Sequence, residues 1–277
     1  MCAVGGRRVR IVDGGSGDLP PVFFDAALGT PLEEWALVAP AVAARRRVTL
    51  WDRPGIGESD EGGTVTGPAL VALVAEVLRT RASPSVLVGH SLGALHMLCV
   101  ALEHPDLVCG LVLVEPSHPD QRTRLGASQD PALLVANAAG ALPQPVRGAL
   151  GSVIAFAGSL LPLDQRTRAM TDLAPLVARR LAAVNQEHAS TEVLFSYAAE
   201  LLQGKTLGDL PTEVLTGSHN FSDDDSLRAE WRAMHDELAA LSSQGSRHLV
   251  ECGHNVPFAD PAAVIEAVER VALAVGH

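Results

Sequence analysis

Gly89-His90-Ser91-Leu92-Gly93 decides how this chain is read. The five residues follow the pattern G-x-S-x-G, and their flanks carry as much as the pattern does. Before them, Ser85-Val86-Leu87-Val88 is short, apolar and β-branched, which predicts a buried strand. After them, Ala94 to His104 is rich in helix formers and is stopped by Pro105. A strand, a tight glycine-flanked turn and a helix form the setting that a nucleophile elbow requires. So sharp a turn forces the serine into a strained backbone, and neighbours without a Cβ let the chain segments pass. It also brings the Ser91 hydroxyl near a helix N-terminus, where free N–H groups and the dipole favour developing negative charge.

Composition permits an enzyme of this kind. The 277 residues fit one large domain, or one domain carrying an inserted subdomain. Hydrophobic residues make up 47% and charged residues 19%, the balance of a folded globule and not of a disordered chain. A net charge of −11 argues against a general binder of nucleic acid or anionic membrane, whose affinity comes from basic surface. It suits a small-molecule substrate. The first residues, Met1 to Arg8, have no apolar signal-peptide core, and no apolar run nears the roughly 20 residues of a membrane span. Cys2, Cys99, Cys109 and Cys252 show no C-x-x-C spacing, so reduced thiols and a cytoplasmic location are expected.

Strand and helix patterns alternate along the chain. Strands are expected at Arg8–Val12, Pro21–Phe24, Arg47–Trp51, before Ser91, at Gly110–Val114, Pro211–Thr216 and Ser246–Val250. Helices are expected over 33–44, 69–81, after Ser91 and over 262–275. Alternation of this kind implies a mostly parallel, doubly wound α/β sheet with both faces covered. Between about Pro116 and Gly208 the strand signal vanishes. That segment is helical in pattern and is broken by Pro131, Pro143, Pro145, Pro162 and Pro175, so several short helices are expected. An all-helical insertion after a central strand reads as a cap over the C-terminal edge of the sheet, where ligands bind in open α/β folds. The expected division is a core of residues 1–116 and 209–277, with residues 117–208 as the cap. Asp223-Asp224-Asp225 reads as a solvated acidic loop.

Two further motifs follow in order. Asp52-Arg53-Pro54-Gly55-Ile56-Gly57-Glu58-Ser59 comes after an early strand, and Gly253-His254-Asn255-Val256-Pro257 comes near the end. With the Ser91 elbow, these resemble the α/β-hydrolase superfamily in its cap-bearing branch, over nearly the whole length. The first resembles that family's D-x-x-G-x-G-x-S turn; the second resembles the G-H-x-x-P segment that carries its catalytic histidine.

A serine hydroxyl needs a base to take its proton during attack. His254 is the candidate: it follows an expected strand and comes late, in the order serine, acid, histidine. The chain has ten histidines. His90, His96, His104, His118, His188, His219, His235, His248 and His277 read as surface or packing residues, with His118 placed where it could line a pocket.

For the acid, the sequence departs from the family's commonest pattern. Where many members have G-x-x-D after the penultimate strand, Gly217-Ser218-His219-Asn220 ends in an amide, which cannot stabilise an imidazolium as a carboxylate does. Two carboxylates remain. Glu115 ends the strand after the elbow helix, a place from which some members, including haloalkane dehalogenases, supply their acid. Asp223 lies three residues beyond Asn220. Glu115 is the preferred reading and Asp223 the alternative.

The resemblance also implies an oxyanion hole. One donor is the N–H of Leu92, just after the nucleophile. The other is expected from Ala26-Ala27-Leu28-Gly29, a degenerate form of the family's H-G-x-G turn, with Leu28 at the donor position.

Together these imply a serine hydrolase acting on a small carboxylic ester, lactone or thioester through an acyl-enzyme. Acyl transfer, C–C bond hydrolysis and perhydrolysis use the same residues and stay open, as does a non-catalytic binding protein on this scaffold. A serine at the elbow argues against haloalkane dehalogenase or epoxide hydrolase chemistry, which needs an aspartate there. The expected substrate is a largely apolar acyl compound, with Leu133, Leu134, Val153, Ile154, Phe156, Leu160, Leu161 and Met170 of the cap available to its pocket. No metal-ligand spacing and no phosphate or dinucleotide loop occurs, so neither metal nor cofactor is expected.

Overall fold

The computed structural model describes residues 1–60, 65, 67–81, 83–126, 168, 181–219 and 224–275. Its centre is a seven-stranded sheet in the order β3-β5-β4-β6-β7-β8-β9. The strands are β3 (Ile11–Gly14), β4 (Val22–Asp25), β5 (Val48–Trp51), β6 (Ser85–His90), β7 (Val108–Val114), β8 (Thr212–Gly217) and β9 (Gly245–Val250). Only β3 runs antiparallel to its neighbour. The middle strands β4 and β6 are buried at every residue, as continuous apolar runs covered on both faces should be.

Alternation along these strands sorts side chains to two cores. Phe23, Leu87, Leu111 and Leu113 join one cluster with helices α2 (Gly67–Arg79) and α3 (Leu92–Glu103). Val22, Phe24, Val86, Val88 and Val112 join the other with α1 (Ala39–Ala43) and the closing helix α9 (Pro261–Ala274). Eleven of the twelve residues of α3 are buried, so this helix is apolar on all sides because it is enclosed on all sides.

Three stretches differ from the sequence expectation. The single opening strand expected over Arg8–Val12 is divided at Arg10. Its first half, β2 (Arg7–Val9), pairs with β1 (Cys2–Val4) in a separate hairpin; its second half, β3, joins the main sheet. Gly5 and Gly6, at φ 54° and 73°, make the two-residue turn of that hairpin, which needs positive φ at both positions. Arg10 bends the chain between the two: its N–H donates to Ser59 Oγ at 2.8 Å and its carbonyl accepts from Asp52 N–H at 3.0 Å. The helix expected over 33–44 is a 3₁₀ turn, Leu32–Trp35, followed by the five residues of α1. Pro40 explains the break, because proline fits only the first turn of a helix. Asp224 and Asp225 do not lie in an open loop. Asp224 caps helix α7 (Asp225–Ala239) by accepting from Ser226 N–H, and Asp225 begins it.

Within the expected insert, the described helices are α4 (Gln121–Leu125), α5 (Leu181–Ala189) and α6 (Thr191–Leu202). Leu194, Phe195 and Ala198 of α6 are buried in the main cluster against α2 and α3. The eight apolar cap residues named above, from Leu133 to Met170, lie outside the described residues, as does His277. Among the described residues, no helix is long and apolar enough to cross a membrane.

Candidate active site

Sheet register brings the candidate residues together. His90, the last residue of β6, pairs with Val114, the last of β7, so Ser91 and Glu115 leave the sheet side by side at its C-terminal edge. The chain moves outward from β4 to β5 and then crosses back to β6, so this edge is also where the winding direction reverses.

Ser91 has φ 54° and ψ −116°, a strained conformation for a residue with a side chain. Its N–H donates to Val114 O at 2.9 Å, and its carbonyl accepts from Ser117 N–H at 3.0 Å, which pins the turn from both sides. The flanking glycines leave no room for a side chain. A Cβ on Gly89 would lie 2.5 Å from Ala94 Cα, and one on Gly93 would lie 2.4 Å from Ala26 O and 2.6 Å from Asp25 O. Glu115 is the other non-glycine residue with positive φ among the described residues, at 44°. Two strained residues stand next to each other on adjacent strands.

Their side chains meet through His254, on the loop between β9 and the short helix α8 (Val256–Ala259). His254 Nε2 is 3.1 Å from Ser91 Oγ, and His254 Nδ1 is 3.0 Å from Glu115 Oε2. The glutamate is fully buried. Its Oε1 accepts from Gly217 N–H at 2.6 Å, and its Oε2 accepts from Trp231 Nε1–H of α7 at 3.2 Å. Burial pushes the Glu115 carboxyl up, but the hydrogen bond from His254, neighbouring positive charge and the Gly217 N–H outweigh it and hold the group below the usual glutamate value. Glu115 is therefore held as an anion against the ring that faces the serine. Asn220 and Asp223 lie outside the described residues.

The loop after β4, from which an oxyanion donor is expected, is held by charged side chains. Arg53, 2% exposed, donates to the carbonyls of Ala26 and Ala27, each at 2.6 Å, and to Asp25 Oδ1 at 2.8 Å. Burial pushes the Asp25 carboxyl up, yet Arg53 and His96 together bring it down to about 2. Glu34 Oε2 accepts the Ala27 N–H at 2.8 Å, and Glu187 Oε2 of α5 accepts the Gly29 N–H at 2.6 Å. Among the described residues, the Leu28 N–H between them has no acceptor, and neither has the Leu92 N–H at the first position of α3. These are the two backbone donors expected from the sequence.

The Asp52–Ser59 motif is structural here. Asp52 accepts from Leu32 N–H at 2.8 Å and Glu58 N–H at 2.9 Å, which ties the turn to the start of the 3₁₀ turn Leu32–Trp35. Four histidines read as surface or packing residues are buried and hydrogen-bonded: His90, His96, His118 and His235. Sequence reasoning also passed over Glu34 and Trp231, and read Gly217 only as the start of the G-x-x-D-like turn. No motif marks Glu34 or Trp231, since each reaches the site only through tertiary packing.

The chain matches a model of the alpha/beta hydrolase family over residues 17–267. It resembles the enol-lactonase of Burkholderia xenovorans LB400, with TM-score 0.68, 19% identity and 98% of both chains covered. It also resembles a thermophilic esterase of Thermogutta terrifontis, with TM-score 0.71, 19% identity, 98% of this chain and 95% of that one. An epoxide hydrolase, CorEH, gives TM-score 0.69 at 18% identity over 99% and 98%. At these identities the likeness is one of fold. An uncharacterized protein of Schizosaccharomyces pombe, C23C11.06c, is 36% identical over 81 residues, a stretch that spans 28% of this chain and 15% of that relative. The match over residues 17–267, nearly the whole chain, places this protein in the alpha/beta hydrolase family.

Proposed function

We propose that the protein is a serine hydrolase that cleaves a small, largely apolar carboxylic ester, lactone or thioester through an acyl-enzyme. The observation that carries this reading is the hydrogen-bonded chain Ser91–His254–Glu115, with contacts of 3.1 and 3.0 Å, at a strained elbow. In the proposed reaction His254 Nε2 takes the Ser91 proton as Oγ attacks the carbonyl carbon. The Leu28 and Leu92 N–H groups hold the oxyanion, each such donor contributing about 3 kcal/mol to transition-state stabilisation. His254 then gives its proton to the leaving group. Water, activated by the same ring, releases the acid. Glu115 fixes the ring's orientation and balances its positive charge.

The reading keeps residues 117–208 as an inserted cap, with α6 as the part seated on the core helices. It also includes a cytoplasmic location, in keeping with four unpaired cysteines. A serine, not an aspartate, at the elbow favours acyl over epoxide chemistry.

Ser91→Ala is expected to abolish turnover of p-nitrophenyl acetate and butyrate and labelling by a fluorophosphonate probe, with the circular dichroism spectrum unchanged. Turnover at the wild-type rate would overturn the assignment. Comparing Glu115→Gln with Asp223→Asn tests the acid: only the first is expected to lose kcat, by about 10⁴-fold if the ring loses its orienting carboxylate. Collapse of the Asp223 variant alone would move the role there.

A further inference from the structure

We infer that Glu34 and His90 act as a positioning pair that sets the oxyanion loop, the elbow and the His254 loop in register with one another. The inference rests on the serine-hydrolase reading above and adds two residues to it.

Three loops must converge for that reaction, and each comes from a different strand. One buried side-chain pair touches all of them. Glu34 stands on the 3₁₀ turn Leu32–Trp35 and is 2% exposed. Its Oε2 accepts the Ala27 N–H of the oxyanion loop at 2.8 Å. Its Oε1 lies 2.8 Å from His90 Nδ1. His90 is the residue before the nucleophile and is 1% exposed. Its Nε2 lies 2.9 Å from the backbone carbonyl of His254. A carbonyl oxygen only accepts, so Nε2 carries a hydrogen, and the remaining proton lies between Nδ1 and the Glu34 carboxylate. The rings of His90 and His254 are 5.0 Å apart.

The distribution of hydrogen bonds gives the pair a specific effect. Glu34 occupies the Ala27 N–H, and on the other side Glu187 occupies the Gly29 N–H. Leu28 N–H, between them, is left without an acceptor among the described residues. Release of the Ala27 N–H would let the loop turn, and release of the His254 carbonyl would let the base drift from Ser91. Errors of about 1 Å in such placements cost up to roughly 100-fold in rate. Neither Glu34 nor His90 touches Ser91 Oγ or the reacting carbonyl, so both act through the residues they hold.

The test compares Glu34→Ala, Glu34→Gln, His90→Gln and Ser91→Ala on p-nitrophenyl butyrate, with folding followed by circular dichroism. Glu34→Ala is expected to lower kcat by about tenfold or more at a KM within about twofold, since acyl binding is untouched and transition-state geometry is lost. Glu34→Gln can restore both contacts: its amide oxygen accepts from Ala27, and its NH2 donates to a neutral His90. Recovery to within about threefold of wild-type kcat is expected. A purely structural role would shift the unfolding midpoint in both variants and leave kcat per folded molecule alone. Should Glu34→Ala fail to fold, His90→Gln carries the test, because its amide cannot bridge both acceptors and kcat should again fall at constant KM. Values of kcat within about twofold of wild type in the folded variants, beside an inactive Ser91→Ala, would overturn the positioning role while leaving the serine reading intact. Turnover surviving in Ser91→Ala would overturn the serine reading and this inference with it.

Discussion

At the scale of single residues, the elbow depends on what is missing from Gly93. A methyl there would meet the carbonyl oxygens of Ala26 and Asp25, both backbone atoms that cannot swing aside. Overpacking of this sort costs about 1–3 kcal/mol. Gly93→Ala should fall at the upper end and also lower kcat under the proposed mechanism, because relief of the clash moves the Ala26 loop away from the start of α3. Gly204→Ala is the internal control, since its Cβ would meet nothing within 4 Å. Urea unfolding of the two variants checks the contrast; equal stability would mean that the elbow is not closely packed. The same scale shows what a sequence can disclose. Ser91 and His254 lie in short motifs whose glycines and prolines leave a local signature, and Glu115 stands at the end of an apolar strand. Glu34 and His90 have no such signature. A glutamate in a short turn and a histidine beside a serine gain their roles from burial and from partners 56 residues apart.

Among elements, α5 meets the loops at the sheet edge through Val184, packed with Ile56 and Leu28, and through one charged side chain. Glu187 accepts from Arg53 Nε at 2.6 Å and Nη2 at 3.1 Å and from Gly29 N–H at 2.6 Å, so a half-buried ion pair ties α5 to the loop after β5 and a hydrogen bond ties it to the loop after β4. Glu187→Ala removes all three bonds and leaves Arg53 with Asp25 alone as a charged partner. Hydrogen bonds to charged groups contribute about 1.5–3 kcal/mol, and a loss of about 2–3 kcal/mol in urea unfolding is expected, with a drop in kcat. Glu187→Gln keeps the Gly29 bond and should lose less. Equal losses would assign the effect to charge alone. Strands with short apolar runs, β4 to β7 among them, were legible from their patterning, as were α2 and α9 from their periodicity and α3 from its helix formers and the stop at Pro105. The opening strand was not. Its pattern continues through Arg10, and only contacts to Ser59 and Asp52, some 40 to 50 residues away, divide it. Helix α7 was missed because its acidic start resembles a loop, although Asp224 is a capping residue.

For the whole molecule, the buried polar groups behind the site tie global stability to pH. His235 of α7 is fully buried beside Trp231, with ring centroids 4.7 Å apart. Nε2–H donates to Pro116 O at 2.9 Å, and Nδ1 lies 2.8 Å from Thr216 Oγ1, whose hydroxyl donates to the neutral ring. Burial brings its pKa down from 6.5 to about 4, against the opposing pull of Glu115. Between those values the unfolded chain binds a proton that the folded chain refuses, so acidification favours unfolding. The stability at stake is present above pH 6.5 and is lost as pH falls toward 4, to a total of about 3 kcal/mol. Other groups titrate over neighbouring ranges. His90 is raised because Glu34 outweighs its burial, and it acts in the opposite direction; Asp25 contributes only at lower pH. Both are common to wild type and a His235→Gln variant, so they cancel in a comparison. At pH 7.5 the variant should be the less stable, having lost a well-satisfied buried ring. At pH 4.5 the gap should narrow by about 2–3 kcal/mol, because glutamine does not titrate and the wild type has by then lost the benefit of a neutral imidazole. Urea unfolding at the two pH values measures it. A gap that stays constant would show that His235 accepts its proton in the folded state as readily as in the unfolded one, and that the region behind Glu115 is open to water.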